Sequence, residues 1–168
     1  MRSDAEKAAE QYRIAAGYQG VADQDARRQD RDGVVVTPVE IVDFQIRSVL
    51  DSVQQMGREP DEGIEWLDPF GGSGIYTARL LQLVDLPPHR KQTLAENCVV
   101  IELDPTAAQI AANNLAAVYH EEIGAPGCVR VICADTFTLP ARADLWDDAL
   151  PAVQPQPVSA KHPSQEPI

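Results

Sequence analysis

Three acids and one glycine-rich turn carry the chemistry available to this sequence. Asp68, Glu102 and Asp135 each end a short apolar run, and the first opens the stretch Asp68-Pro69-Phe70-Gly71-Gly72-Ser73-Gly74. Glycines at 71, 72 and 74 let the backbone take positive φ and let a ligand approach with no Cβ in the way. A carboxylate in front of such a turn binds a cationic or hydroxyl-bearing group. A glycine turn alone also serves as a plain strand-to-helix loop, so the neighbouring segments decide its meaning.

Those segments are regular. Gly63 to Leu67 reads as a strand that ends in the Asp68 turn, and Ile75 to Val84 as the helix that the turn feeds. Cys98-Val99-Val100-Ile101 is a continuous apolar run suited to a parallel strand buried on both faces, and it ends on Glu102. An Ala-rich helix over Thr106 to Tyr119 follows, and then a third strand, Val129 to Cys133, ending at Ala134-Asp135-Thr136. Strands alternating with helices imply right-handed crossovers and a parallel sheet. In such a sheet the ligand crevice lies beyond the carboxyl ends of the strands, so the three acids converge on one rim.

Upstream, Thr37-Pro38 reads as a helix start, with Thr37 as cap, Pro38 at the first position and Glu40 at the third. The helix runs to about Met56. Ile41, Phe44, Ile46, Val49, Leu50 and Val53 fall on its core face, and Asp43, Gln45, Arg47 and Asp51 on the other. Residues 4 to 31 make at most a surface helix and a solvated arm, and Gly33 to Val36 is a short β-branched run. Leu86 to Ala95 is a connection that tolerates variation. After Leu139 prolines recur, and most of 150 to 168 reads as disordered. The domains are an N-terminal helix or arm over 1–32, a cofactor-binding domain over 33–139 and a proline-rich tail over 140–168.

Fourteen Lys and Arg against twenty-six Asp and Glu leave a net charge of −12 in 168 residues, which repels a phosphate backbone at long range. Two basic clusters, Arg27, Arg28 and Arg31 and then His89, Arg90 and Lys91, read as solvated surface. Cys98, Cys128 and Cys133 form no CxxC pair and suggest reduced thiols, with Cys98 and Cys133 acting as small hydrophobes. No apolar stretch approaches the roughly 18 residues of a membrane helix, so the expected location is cytoplasmic and no metal site is expected.

The acids suggest roles. Glu102 ends the second strand, where an acid accepts hydrogen bonds from ribose hydroxyls. Asp135 suits an adenine amine, with Thr136 or Phe137 lining the base and Leu103 packing on it. Glu102 and Asp135 also fit as simple caps of the following segments. A pyrophosphate dinucleotide disfavours a carboxylate beside its phosphates. Asp68 at the head of the turn therefore fits an ammonium or sulfonium centre, as in S-adenosylmethionine, better than NAD.

Taken in order, Thr37-Pro38, Asp68-Pro69-Phe70-Gly71-Gly72-Ser73-Gly74, Ile101-Glu102-Leu103-Asp104-Pro105 and Ala134-Asp135-Thr136 make the chain resemble S-adenosylmethionine-dependent DNA adenine-N6 methyltransferases. The likeness is to the methylase region of large single-polypeptide restriction–modification enzymes and covers roughly residues 33 to 139. It implies an α/β, three-layer, partial Rossmann-type methyltransferase fold with a mostly parallel sheet. It also implies that Thr37 and Pro38 border the methionine end of the cofactor, that Asp68, Gly71 and Gly74 hold its amino-acid moiety, that Glu102 takes the ribose, and that Asp135 with Phe137 takes the adenine, with Pro69, Phe70, Gly72, Leu103 and Thr136 also in the cofactor site.

Members of that family carry, after the third strand, an Asn-Pro-Pro-Tyr-type tetrapeptide that binds the target amine and stacks on the flipped base. This sequence has none. Asp144-Leu145-Trp146 and Leu150-Pro151-Ala152-Val153 offer the residue types in another arrangement. No catalytic residue is therefore assigned. The resemblance implies DNA as partner, reached through a missing half or a complementing polypeptide, and an open edge on the first strand that invites association. A non-catalytic S-adenosylmethionine-binding or regulatory module, and a methyltransferase of small molecules or protein, are the alternatives.

Overall fold

Strand-breaking glycines and prolines separate eight elements in a computed structural model that describes residues 2–23, 37–139, 145 and 150–156. In chain order they are α1 (Asp4–Asp23), α2 (Val39–Gln55), β1 (Trp66–Asp68), α3 (Ile75–Leu83), α4 (Pro88–Glu96), β2 (Cys98–Glu102), α5 (Pro105–Ile123) and β3 (Arg130–Cys133). The strands form one parallel sheet in the order β1-β2-β3. Its register pairs Asp68 with Val100 and Glu102 with Cys133, so the ends of all three strands share one rim.

The apolar run of β2 occupies the centre, with Cys98, Val99, Val100 and Ile101 at 1% exposure or less. On one face Cys98, Val100 and Val131 pack with apolar side chains from all five helices. On the other, Val99, Ile101 and Ile132 are covered by Ala134, Leu139, Leu145 and Leu150, none of them helical among the described residues. The sheet is α/β and parallel, as its alternating pattern predicts. The described part of its third layer is irregular chain.

Part of the proline-rich segment is held in place. Ala152 bridges antiparallel to Ile132, the Val153 N–H donates to the Val131 carbonyl at 2.8 Å, and the Gln156 N–H donates to Asn113 Oδ1 at 2.8 Å. This strap lies along the outer side of β3, where Pro151 and Pro155 are tolerated because an edge segment needs few N–H donors. The run from Gly33 to Val36, residues 157–168, Arg27, Arg28, Arg31, Asp144 and Trp146 lie outside the described residues.

Several local expectations change. Leu86 to Ala95 is not a bare connection: Pro88 starts α4, which buries Leu94 and Ala95. Arg90 and Lys91 are not free surface cations. Arg90 Nε donates to Asp61 Oδ2 at 2.8 Å, and Lys91, 8% exposed, bonds Glu122 at 2.6 Å. Both cations are neutralised locally and form no patch for phosphates.

The segment from Asp4 is more than a surface helix. α1 buries Lys7, Gln11 and Ala15, yet its apolar residues form no stripe, so periodicity could not reveal its docked face. It docks through pairs: Arg2 with Glu121, Asp4 with Arg79, Lys7 with Glu122, and Gln11 with Asn114.

Thr37 does not cap α2. Pro38 occupies the cap position in extended conformation, with no side-chain hydrogen bond, and its carbonyl accepts from Ile41 and Val42. The helix buries Val39, Val42, Ile46 and Val53, but Ile41, Phe44 and Val49 are 49%, 69% and 44% exposed. Asp43, expected on the solvent face, reaches Arg79.

These exposed side chains face a gap in the described fold. No strand among the described residues pairs with the outer side of β1. In a parallel ladder alternate residues bond the same neighbour; Trp66 donates to Asn97, so the Leu67 N–H and C=O point away from β2. Beside this edge lies a groove of about 620 Å³ lined by Phe44, Val49, Trp66, Leu67, Tyr76 and Leu80, with Asp68 at its end. An unpaired edge flanked by apolar surface drives association. Sedimentation of the purified chain is expected to show concentration-dependent self-association, and a single monomeric species over the whole range would contradict it. No helix among the described residues is long and apolar enough to cross a membrane.

Candidate functional site

The turn after β1 folds tightly because its glycines allow it. Gly72 and Gly74 take φ of +53° and +76°, and the Gly74 N–H closes onto the Gly71 carbonyl at 2.7 Å before α3 begins. Gly71 approaches the sheet itself: its N–H donates to the Ile101 carbonyl at 2.8 Å, and a Cβ there would collide with Val100 Cγ1. Around Gly72, in contrast, the space is open. Gly71→Ala is therefore expected to cost about 2–3 kcal/mol by overpacking, and Gly72→Ala only about 1 kcal/mol of backbone strain. Chemical denaturation of the two variants checks the order, and equal losses would contradict this assignment of the two glycines.

The rim acids meet the turn in different ways. Glu102 is tied to it, with Oε2 accepting from the Gly72 N–H and Oε1 from the Asp104 N–H, both at 2.8 Å. Burial pushes its pKa up, and the backbone N–H groups oppose this. Each oxygen keeps a second lone pair on the rim, so a pair of ribose hydroxyls can still donate to it. Asp104, not Glu102, caps α5, accepting from the Ala107 N–H at 2.8 Å with Pro105 at the first helical position.

Asp68 is less satisfied. Oδ1 accepts a long bond from the Phe70 N–H at 3.3 Å, while Oδ2 is buried with no hydrogen-bond partner among the described residues. Burial, reinforced by the neighbouring Glu102 charge and opposed by the Phe70 N–H, pushes its pKa up to about 6. A buried carboxylate oxygen without a donor costs free energy that a cationic or N–H-bearing ligand would recover.

The end of β3 closes on the same turn. Thr136 Oγ1 donates to the Pro69 carbonyl at 2.6 Å, and the Phe137 ring lies 5.7 Å from that of Phe70 at a tilt of 40°. Asp135 uses Oδ1 locally, accepting from the Phe137 N–H at 2.9 Å. Phe70, Leu103 and Phe137 are 64%, 59% and 85% exposed on this rim. Such uncovered apolar surface suits a flat aromatic ligand. Cys133, read as a buried hydrophobe, is exposed at the end of β3, whereas Cys98 is buried and its thiol is pushed up to about 12.

Thr37, freed from capping, lines a small cavity of about 70 Å³ with Phe70, Gly71, Gly72 and Ser73, walled by Ala15 and Tyr18 of α1. Tyr76 lines both this cavity and the larger groove that contains Asp68. The structure thus gathers Thr37, the turn, Glu102, Thr136 and Phe137. Pro38 stands at the head of α2, and the Asp135 carboxylate stays with its own turn. Sequence reading missed Gln11, Ala15, Tyr18, Tyr76 and Asn114. Only Asn114 left a signal, as a polar residue among Ala107, Ala111, Leu115 and Val118 on the buried face of α5.

No protein-family model matches the sequence, and no curated protein matches it. Solved structures do. The chain is similar to part of the protein in a cryo-EM structure of a DrdV–DNA complex, with 27% identity and a TM-score of 0.68 over 76% of this chain and 13% of that one. It is similar to part of LlaBIII, an ATP-dependent Type ISP restriction–modification enzyme bound to DNA, with 25% identity and a TM-score of 0.61 over 72% and 9%. A nuclease-deletion mutant of the Type ISP restriction–modification enzyme LlaGI, in complex with a DNA substrate mimic, shares the fold at 24% identity and a TM-score of 0.58 over 67% and 11%. The chain spans roughly a tenth of the length of each.

Proposed function

We propose that this chain is the S-adenosylmethionine-binding portion of a DNA adenine-N6 methyltransferase belonging to a restriction–modification system. The restriction–modification context is supported by the structural likeness to a segment of LlaBIII, a DNA-bound enzyme of that kind. The observation that carries the cofactor assignment is the buried Oδ2 of Asp68 at the mouth of a glycine turn, without a hydrogen-bond partner among the described residues.

The residues fit the cofactor. Asp68 offers an acceptor for its ammonium group, and Glu102 offers lone pairs to its ribose. Phe70, Leu103 and Phe137 offer apolar cover to its adenine. When bound, the cofactor supplies an electrophilic methyl group. The chain's own share is to hold and orient this donor, since positioning accounts for much of the rate of such transfers.

Presentation of the acceptor base belongs to residues outside this chain, either in a longer polypeptide or in a complementing one. The β1 edge, unpaired among the described residues, and its apolar groove are the surface that such a half would cover. The net charge of −12 agrees with this division, because DNA affinity must then come from the other half.

Calorimetric titration with S-adenosylmethionine and with NAD tests the reading, repeated on Glu102→Ala. S-adenosylmethionine is expected to bind the parent chain and to bind the variant more weakly. Binding of NAD without S-adenosylmethionine would overturn the proposal. Binding of S-adenosylmethionine with no methyl transfer to DNA, even with the adjacent gene product added, would reduce the chain to a cofactor-binding module.

A further inference from the structure

A buried amide pair lies behind the turn. Gln11 of α1 and Asn114 of α5 are 1% and 5% exposed and bond reciprocally: Gln11 Nε2 donates to Asn114 Oδ1 at 2.9 Å, and Asn114 Nδ2 donates to Gln11 Oε1 at 2.8 Å. Asn114 Nδ2 also donates to the Ser73 carbonyl at 3.0 Å. Both donor hydrogens of Asn114 are thereby used, one on the partner helix and one on the turn.

We infer that Asn114 is a positioning residue of the donor site and that Gln11 sets it, which makes α1 a required part of that site. The inference rests on the proposed cofactor reading for its ligand but on geometry for its mechanism. The turn contains glycines at 71, 72 and 74, so its own backbone preferences do not hold it in one conformation. Outside ties do: Thr136 on the Pro69 carbonyl, the Ile101 carbonyl on the Gly71 N–H, Glu102 on the Gly72 N–H, and Asn114 on the Ser73 carbonyl. Three of these come from the strand ends. The fourth comes from behind, from α5, whose Ala111 and Leu115 also pack close to Gly74.

The amide works in one orientation. Rotated by half a turn, Asn114 would set Oδ1 against the Ser73 carbonyl, two acceptors with no hydrogen between them. The Ser73 carbonyl selects the productive orientation, and Gln11 completes it, donating to Oδ1 and accepting from Nδ2 so that no amide atom of Asn114 is left unpaired. An asparagine on the Ala-rich buried face of α5 is costly unless fully bonded, and only the arrival of α1 completes its bonding. Ala15 and Tyr18, further along α1, wall the cavity in front of Thr37 and Gly72, so the helix that sets the amide also borders the ligand space.

A double variant separates positioning from packing. Gln11→Leu with Asn114→Leu replaces the pair by apolar side chains of similar size, which preserves helix contact and leaves the Ser73 carbonyl untied. Thermal stability is expected to stay near that of the parent. Hydrogen-exchange protection at Gly72, Ser73 and Gly74 is expected to fall roughly tenfold beyond any global change, and S-adenosylmethionine affinity to fall by a similar factor. Parental protection at the turn in a stable double variant would overturn the inference. Failure of the parent chain to bind S-adenosylmethionine, with turn protection lost as expected in the variant, would remove the cofactor reading and leave the positioning role standing.

If the double variant does not fold, Asn114→Asp decides. Its protonated carboxyl can donate to Ser73 and its ionised form cannot, so turn protection is expected to be restored at low pH and lost as pH rises. Protection corrected for intrinsic exchange that does not vary with pH would sink the inference.

Discussion

Asp68→Asn is expected to make the unliganded chain more stable at pH 7 and to remove its affinity for S-adenosylmethionine. Both effects have one origin. The folded state raises the carboxyl from an ordinary value of 3.8 to about 6, chiefly by burial, so the folded chain holds its proton more tightly than the unfolded chain does. Below pH 4 both states are protonated and nothing is lost. Between about 4 and 6 the unfolded state ionises first, and folding stability falls as pH rises. Above 6 the deficit is complete, on the order of 3 kcal/mol at about 1.4 kcal/mol per pH unit.

Asparagine cannot ionise, keeps an oxygen for the Phe70 N–H, and removes most of that deficit. The expected gain is about 1–2 kcal/mol at pH 7, shrinking to nothing below pH 4, because the buried amide brings its own desolvation cost. The same change deletes the negative charge that an ammonium group needs, and affinity should fall by about 100-fold or more. In the parent chain affinity should decline as pH drops through 6. Urea denaturation at pH 4 and pH 7, paired with calorimetry, checks both sides. Loss of stability at pH 7 with affinity retained would overturn the assignment of Asp68.

The second large effect is expected at Arg79. Its guanidinium is fully buried, holding Asp43 through two bonds of 2.6 and 2.8 Å, Asp4 at 2.7 Å and Gln82 at 2.8 Å. One side chain therefore joins α1, α2 and α3. Arg79→Met keeps apolar volume but leaves Asp43, only 19% exposed, as an uncompensated charge. Breaking a buried pair from one side costs about 3–5 kcal/mol, whereas replacing both partners is much cheaper. The midpoint of urea denaturation should fall accordingly, and Arg79→Met with Asp43→Leu should recover most of the loss. A single variant within about 1 kcal/mol of the parent would mean that the network contributes little.

The route by which each feature could be read differs. β2 was legible because a strand buried on both faces must be apolar throughout, and Cys98 to Ile101 is. The turn was legible because few sequences need glycine at 71, 72 and 74 directly after an acid. α4 was missed because its nine residues, Pro88 to Glu96, contain only Leu94 and Ala95 as buried apolar positions besides the Lys91 stem. Thr37 looked like a cap by spacing, but a proline with extended φ and ψ took the cap position, and Thr37 lines the small cavity beside the turn instead.

Sequence alone determined the alternation of strands and helices apart from α4, the parallel sheet and the acids on its rim, because periodicity and chain punctuation are local properties and the crossover rule turns them into topology. Tertiary structure decided the rest. Whether Glu102 is free or tied to Gly72, whether Arg90 is a surface cation or a partner of Asp61, and whether α1 is a decoration or a wall of the site depend on which polar groups meet across separations of 30, 29 and 103 residues. Polar pairing of that kind leaves no periodic trace, and α1, held by ion pairs and one amide pair, is the element whose role only the assembled fold discloses.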